Sequence, residues 1–341
     1  MEQEPADFNI IQQPVPTMYF IGVTTSQSSI LRIFPFWAEI LGLDQAQLVG
    51  VDLPLHASPE QYRQIIAQIK FDPLSLGGLV TTHKIDLFQA TSDMFDSLDR
   101  YAQLCQEVSC IVKSDRDRDT FGIPLEESQC AQLHPAVAVN GFAKDPINSG
   151  LALQQFIEPG YWGRSEGDVL CLGAGGSGTA ITVNLLTRTE AGSRPRRLSI
   201  VSRNQPALDK LRAIVEQLPA TIEINYTLNE DPRKNDQLMA ELPPGSLVIN
   251  ATGMGKDRPG SPITDEGAFP MHGIAWELNY RGKLDFLHQA RAQQEQRHLN
   301  VQDGWRYFIL SWVDHIAEIF HVKVTAEQFK QLAETAEMIR G

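Results

Sequence analysis

Apolar positions along this chain fall into two alternating rhythms, short continuous runs and longer stretches repeating every three to four residues, which predict strands and helices in turn. Residues 18–23 form a short apolar run. Ile30, Phe34, Trp37 and Leu41 then recur at helical spacing after Ser28 and Ser29, with Gly42 as the stop. Residues 48–53 read as the next strand. Ser58-Pro59-Glu60-Gln61 is a helix start, with a capping serine, proline at the first helical position and glutamine three residues after the cap. Tyr62, Ile65, Ile66 and Ile69 supply that helix's buried face. Residues 78–81 predict a third strand, ending at Thr82-His83-Lys84, and two further helices are expected over 85–89 and 94–106.

From Gly167 onward the alternation sharpens. Strands are predicted at 168–172, 198–201, 222–226 and 247–250, with helices after Gly178 and over 207–218. Strands alternating with helices imply parallel βαβ units and a doubly wound sheet. Near the C-terminus Trp305, Phe308, Ile309, Trp312, Val313, Ile316, Ile319 and Phe320 mark one apolar helix face. Thr325-x-x-Gln328 then caps a last helix. No repeat interrupts this order, and the Asp115-Arg-Asp-Arg-Asp119 charge run within 114–135 reads as a solvated loop or hairpin tip.

The 341 residues suggest two domains, and 42% apolar with 21% charged residues is a globular balance. The 29 basic and 42 acidic residues leave a net charge of −13 with no basic stripe, which excludes nucleic acid as a partner. No apolar run is long enough to span a membrane, and the acidic start of the chain does not resemble a signal peptide, so a cytoplasmic location is expected. Cys105, Cys110, Cys130 and Cys171 form no CxxC pair and read as small buried hydrophobes. No metal site is expected.

The sharpest chemical signal is Gly173-Ala174-Gly175-Gly176-Ser177-Gly178, a full GxGxxG that follows a strand and opens a helix, the context of a dinucleotide fingerprint. Its glycines permit the tight turn, the approach of a pyrophosphate and close helix–strand packing. The helix N-terminus then offers free N–H groups to negative charge. The next strand ends in Ser202-Arg203-Asn204 without the carboxylate that would read an NAD ribose, so the guanidinium of Arg203 favours NADP. Glu190 falls in the loop before that strand. A second small-residue turn, Asn250-Ala251-Thr252-Gly253, follows the 247–250 strand and suits a ring or ribose lying on the backbone.

Taken in order, these blocks resemble the shikimate/quinate dehydrogenase family over nearly the whole chain. Ser26-Gln-Ser28 is similar to its carboxylate clamp, Val80-Thr81-Thr82-His83-Lys84 to its Val-Thr-x-Pro-x-Lys block without the proline, and Gly141-Phe-Ala-Lys-Asp145 to Gly-x-Asn-Thr-Asp. Glu277-Leu-Asn-Tyr280 resembles Asp-x-x-Tyr, and Asp303-Gly304 precedes a C-terminal helix as in the family.

The resemblance implies an α/β protein of two domains. One is an N-terminal α/β substrate-binding domain over 1–147, completed by C-terminal helices in 305–341. The other is a doubly wound Rossmann NADP-binding domain over 148–304. It implies Lys84 and Asp145 as the catalytic pair, Ser26, Ser28, Thr81, Ser109, Tyr280 and Ser311 as substrate contacts, and the two glycine turns with Ser202, Arg203 and Gly304 as the NADP site. A neighbouring carboxylate raises a lysine pKa, so whether Lys84 accepts the proton or polarises the oxygen stays open. Leu79, Ser109, Ala143, Lys144 and Ser311 replace family residues, several of which contact substrate hydroxyls or carboxylate, which implies a related carboxylated cyclic alcohol or ketone and leaves open whether shikimate itself is turned over. Lys144 is a candidate new contact, and His83 is the histidine to follow. A methylenetetrahydrofolate dehydrogenase-like enzyme and a non-catalytic NADP(H)-binding regulatory protein remain alternatives. A homodimer is compatible with either.

Overall fold

The computed structural model describes residues 8–115, 137–219, 222–256 and 258–340. Of the 114–135 stretch only Ser114 and Asp115 are described, and Cys130 lies outside the described residues. The chain divides into two units, Met1–Lys144 with Ser311–Gly341, and Asp145–Leu310.

In the first unit β1 (Thr17–Gly22), β2 (Gln47–Asp52), β3 (Ser75–Val80), β4 (Ser97–Leu98), β5 (Cys110–Asp115) and β6 (Val137–Phe142) form one sheet in the order β2-β1-β3-β5-β6-β4. β1 runs parallel to β2 and β3, whereas β5 is antiparallel to both β3 and β6. Parallel neighbours need crossovers, supplied by helices Ile30–Leu41 and Pro59–Phe71. The first helix ends on Gly42 at φ 71°, where the left-handed turn lets its N–H reach the carbonyls of Ala38 and Glu39. The second opens with the expected capping box of Ser58 and Gln61.

The helix expected over 94–106 is only Arg100–Cys105. Asp99 caps it at Ala102 N–H, 2.7 Å away, and so fixes its start. Just upstream, Asp96 accepts the Val139 N–H at 2.8 Å and Ser97–Leu98 pairs with β6, so this segment is drawn out as an edge strand.

The second unit holds β7 (Val169–Leu172), β8 (Arg197–Ser202), β9 (Glu223–Leu228), β10 (Leu247–Asn250), β11 (Ile274–Glu277) and β12 (Asn300–Gln302). Their order is β12-β11-β10-β7-β8-β9, all parallel, which is the doubly wound arrangement with its switch point between β7 and β10. The unbroken apolar run of β7 follows from burial on both faces. Val169 and Cys171 pack with Leu198, Ile200, Leu247 and Ile249 on one side. Leu170 and Leu172 pack with Val201, Val248, Met239 and Phe286 on the other. Helix Gly176–Thr187 presents Ile181 and Leu185 to the first of these clusters. Among the described residues, no helix is long and apolar enough to cross a membrane.

Candidate active site

The carboxyl edge of each sheet gathers the chemistry of its unit. In the first, β1 leads into a short 3-10 turn, Thr25–Gln27, that places Ser26 at the surface and buries Ser28. Asp52 at the end of β2 accepts the Thr25 N–H at 2.7 Å, and the Thr25 side chain, followed by this backbone bond, holds the Asp52 carboxyl below the usual carboxylate range. At the end of β3, Thr81 donates its hydroxyl to the Ile21 carbonyl at 3.3 Å, and its N–H does the same at 3.0 Å. Lys84 is the first residue of helix Lys84–Thr91, and its carbonyl accepts the Val108 N–H at 3.1 Å. Ser26, Ser28, Thr81 and Lys84 thus follow the carboxyl ends of adjacent strands β1 and β3.

His83 is wholly buried, with Nδ1 3.0 Å from the Tyr62 hydroxyl. It ties the β3 turn to helix Pro59–Phe71, a packing role. Ser109 is buried as well: its hydroxyl accepts the Lys144 N–H at 2.9 Å and lies 3.4 Å from the Phe142 carbonyl. It braces the end of β6. Ser311 is half-buried on helix Trp305–Ile319 and engages His315 through its backbone carbonyl.

Lys144 corrects an expectation. Its side chain is only 9% exposed, and its ammonium lies 2.7 Å from Glu318 and 3.2 Å from Asp314 rather than awaiting a substrate. Burial alone would lower the Lys144 pKa; Asp314 and Glu318 outweigh it, and the net movement is upward. Neither acid stood out in the sequence, because they meet Lys144 only through folding, 170 and 174 residues along the chain.

In the second unit Asp145 opens helix Asp145–Leu153 and is buried. The glycine turn has the form its sequence predicts. Gly173 sits at φ 118°, and a Cβ there would lie 2.5 Å from the Ala251 carbonyl oxygen, so only glycine fits. A Cβ on Gly178 would overlap the Gly173 carbonyl. At Gly175, by contrast, a Cβ would meet nothing within 4 Å, and no side chain caps the Gly176–Thr187 helix. The first-turn N–H groups of a helix have no intrahelical acceptor, so this open turn suits an anionic group such as a pyrophosphate. Arg203 is exposed just beyond β8, Ser202 accepts the Asn204 N–H at 3.1 Å, and no carboxylate stands at this strand end.

The second turn is organised by Glu277 and Asn279, two residues of the Glu277–Tyr280 block to which the sequence assigned no role. Asn250 accepts from the Thr252 N–H at 3.1 Å and hydroxyl at 2.6 Å, and donates to Glu277 at 2.7 Å. Asn279 donates to Glu277 from both its N–H and its amide, at 2.8 and 2.7 Å, and to the Met254 carbonyl at 3.0 Å. The asparagines at the ends of β10 and β11 therefore hold the Thr252–Gly253 loop through one buried carboxylate. A Cβ on Gly304 would overlap the Leu278 carbonyl next to this network. The Tyr280 ring packs 4.6 Å from Phe308 and 5.4 Å from Trp305. Among the described residues no group of three or more His, Cys, Asp or Glu side chains is placed to hold a metal ion.

Burial pushes Glu277 up from its ordinary 4.5 to about 7, against the Asn279 and Asn250 hydrogen bonds and aided by Asp303. A raised carboxyl pKa favours the folded state while the group is protonated; that stability is complete below pH 4.5 and lost as pH rises to about 7. The interval corresponds to about 3 kcal/mol. Denaturant unfolding of Glu277→Gln at several pH values should lack this decline, and a slope equal to wild type would assign the effect elsewhere.

No protein-family profile matches the chain, and no curated protein matches it in sequence. Solved structures do. A quinate dehydrogenase from Corynebacterium glutamicum in complex with NAD has a TM-score of 0.67 at 17% identity, covering 94% of this chain and 98% of that one. A shikimate 5-dehydrogenase from Thermus thermophilus in complex with NADP(H) and shikimate has 0.63 at 20%, covering 94% and 99%. A ligand-free 5-ketofructose reductase of a Gluconobacter strain has 0.62 at 15%, covering 95% and 99%. The match runs over nearly the full length of each chain, so this protein has the two-sheet α/β fold of the shikimate and quinate dehydrogenases.

Proposed function

We propose that the chain is an NADP-dependent oxidoreductase interconverting a ring hydroxyl and a ketone on a shikimate-like or quinate-like carboxylated cyclic substrate. The observation that carries this reading is the open turn at Gly175, at the head of an uncapped helix and at the sheet's switch point, where α/β sheets bind ligands. The turns at 173–178 and 250–253 would hold the dinucleotide with Gly304 behind them, and Arg203 would meet the 2′-phosphate. Bound NADP would supply the hydride acceptor or donor. Ser26, Ser28 and Thr81 would hold the substrate carboxylate, with Tyr280 and Ser311 as further contacts.

Lys84 and Asp145 are the groups proposed to act at the reacting oxygen. Oxidation removes a hydride from the carbinol carbon and a proton from its hydroxyl. Lys84 would stabilise the oxygen as that proton leaves, and Asp145 would receive or relay it. The 5-ketofructose reductase on the same fold extends the field of substrates to polyhydroxylated ketones.

The test is NADPH formation, followed by absorbance, with NADP and a panel of shikimate, quinate and their aminated and deoxygenated analogues, plus NADPH consumption with 5-ketofructose. Turnover of one compound is expected. No turnover alongside NADP binding in a thermal shift would overturn the enzyme reading in favour of a cofactor-binding protein. Arg203→Ala should weaken NADP by about tenfold or more while changing NAD affinity little, since one charge-assisted contact to phosphate is lost. Equal losses for both would remove Arg203 from the 2′-phosphate site.

A further inference from the structure

Between β1 and helix Ile30–Leu41 the chain makes one short 3-10 turn, Thr25–Gln27, and the two proposed carboxylate contacts stand on it and just after it, at Ser26 and Ser28. Among the described residues neither serine hydroxyl makes a hydrogen bond. The Ser28 N–H reaches the Thr25 carbonyl at 2.9 Å. A 3-10 piece this short has poor internal hydrogen-bond geometry, so contacts from outside it set the direction of its side chains.

The N-cap residue, Thr24, supplies no side-chain bond. The cap comes from another strand: Asp52 at the end of β2 accepts the Thr25 N–H at 2.7 Å and the Thr25 hydroxyl as well. First-turn N–H groups lack an internal acceptor, and a carboxylate that takes one acts as a capping side chain. The register of β1 and β2 pairs Gly22 with Asp52 and Phe20 with Gly50, which brings Asp52 beside the end of β1. Thr25 is buried against the two glycines. A Cβ on Gly50 would overlap the Thr25 hydroxyl, and one on Gly22 would lie 3.2 Å from the Thr25 methyl. Asp52 itself is exposed, so water and salt screen its charge from an anion held nearby.

We propose that Asp52 is the positioning residue of the Ser26–Ser28 clamp: by holding Thr25 through two hydrogen bonds, its carboxylate fixes the direction in which both serine hydroxyls meet the carboxylate of a cyclic substrate. This rests on the reading of Ser26 and Ser28 as substrate contacts. Hydroxyls bind a carboxylate only through hydrogen bonds of good geometry, and a loosened turn must lose conformational freedom before it can make them. Asp52 acts through Thr25 rather than on the reacting oxygen, so its removal weakens substrate binding and leaves the chemical step alone.

Two measurements on the full chain test this. Hydrogen exchange over residues 22–30, followed by mass spectrometry, needs no substrate. Asp52→Ala should speed exchange of that segment by about tenfold, the effect of losing one charge-assisted bond. Asp52→Asn, whose amide oxygen still accepts the Thr25 N–H, should stay close to wild type. Steady-state kinetics with the compound turned over in the panel should show KM raised about tenfold in Asp52→Ala, with kcat within about threefold. Asp52→Asn should recover most of that loss, and NADP affinity should be the same in all three proteins. Asp52 is exposed, so neither substitution disturbs the core. Unchanged exchange in Asp52→Ala, a KM equal to wild type, or an asparagine variant as impaired as alanine would each overturn the proposal. Failure of the oxidoreductase reading is distinct, since it shows in the wild type as no turnover of any compound, whereas the exchange comparison still decides the role of Asp52.

Discussion

Lys84→Ala is expected to lower turnover by about 10²–10⁴-fold, the range of positioned acid–base groups, while leaving NADP affinity within about twofold of wild type. The physical basis is the separation of roles along the chain. Lys84 begins a helix at the carboxyl end of β3 in the first unit, whereas the glycine turn, Arg203 and the Asn250–Glu277–Asn279 network belong to the second. The alanine variant keeps the Lys84 carbonyl that accepts from Val108, so the β3 turn retains its backbone tie to residues 107–109. Single-turnover kinetics with the substrate found in the panel, and NADP titration of the same protein, read the two quantities separately. A variant within about threefold of wild-type turnover would remove Lys84 from the chemistry.

The second large effect concerns stability. Lys144→Met should destabilise the protein by about 3 kcal/mol, the lower end for breaking a buried ion pair, because the two carboxylates it abandons keep some access to water, at 30% and 19% exposure. Much of that loss is the cost of leaving Asp314 and Glu318 side by side without a cation. Lys144→Met combined with Glu318→Gln should therefore recover at least about 1 kcal/mol relative to the single variant. Urea unfolding at neutral pH measures both. A single-variant loss below about 1 kcal/mol would mean that the cluster contributes no more than a surface pair. The pH dependence has a definite sign. The Lys144 pKa is raised above its ordinary 10.5, so the cluster's stability is fully present below that pH and declines as alkali takes the proton.

Much of the fold was legible because local signals agreed with one another. The Ser58–Gln61 box, the Gly42 stop and the Thr325–Gln328 box each encode a helix end within a few residues, and all three form as read. The glycine turn was legible for the same reason: steric exclusion at Gly173 and Gly178 acts on backbone atoms brought together by the turn itself and the strand beside it. Elements whose existence depends on distant partners were not legible. β12 is three residues long and forms only because β11 lies beside it. Ser97–Leu98 is a strand only because β6 offers an edge. The helix expected across that segment satisfied apolar periodicity but not the carboxylates of Asp96 and Asp99, which bind backbone N–H groups contributed by other elements.

The candidate site divides along the same line. The sequence by itself determined the alternation of strands and helices, the glycine form of the 173–178 turn, and the absence of a carboxylate after β8, because each depends on residue type within a short window. Tertiary structure alone decided what the polar residues around these motifs do. It committed Lys144 to Asp314 and Glu318 and spent the Ser109 hydroxyl on a strand end. It buried His83 against Tyr62 and placed Glu277 between two asparagines. A polar side chain acts through whichever partners burial leaves within about 3 Å, and those partners are set by packing between elements far apart in sequence.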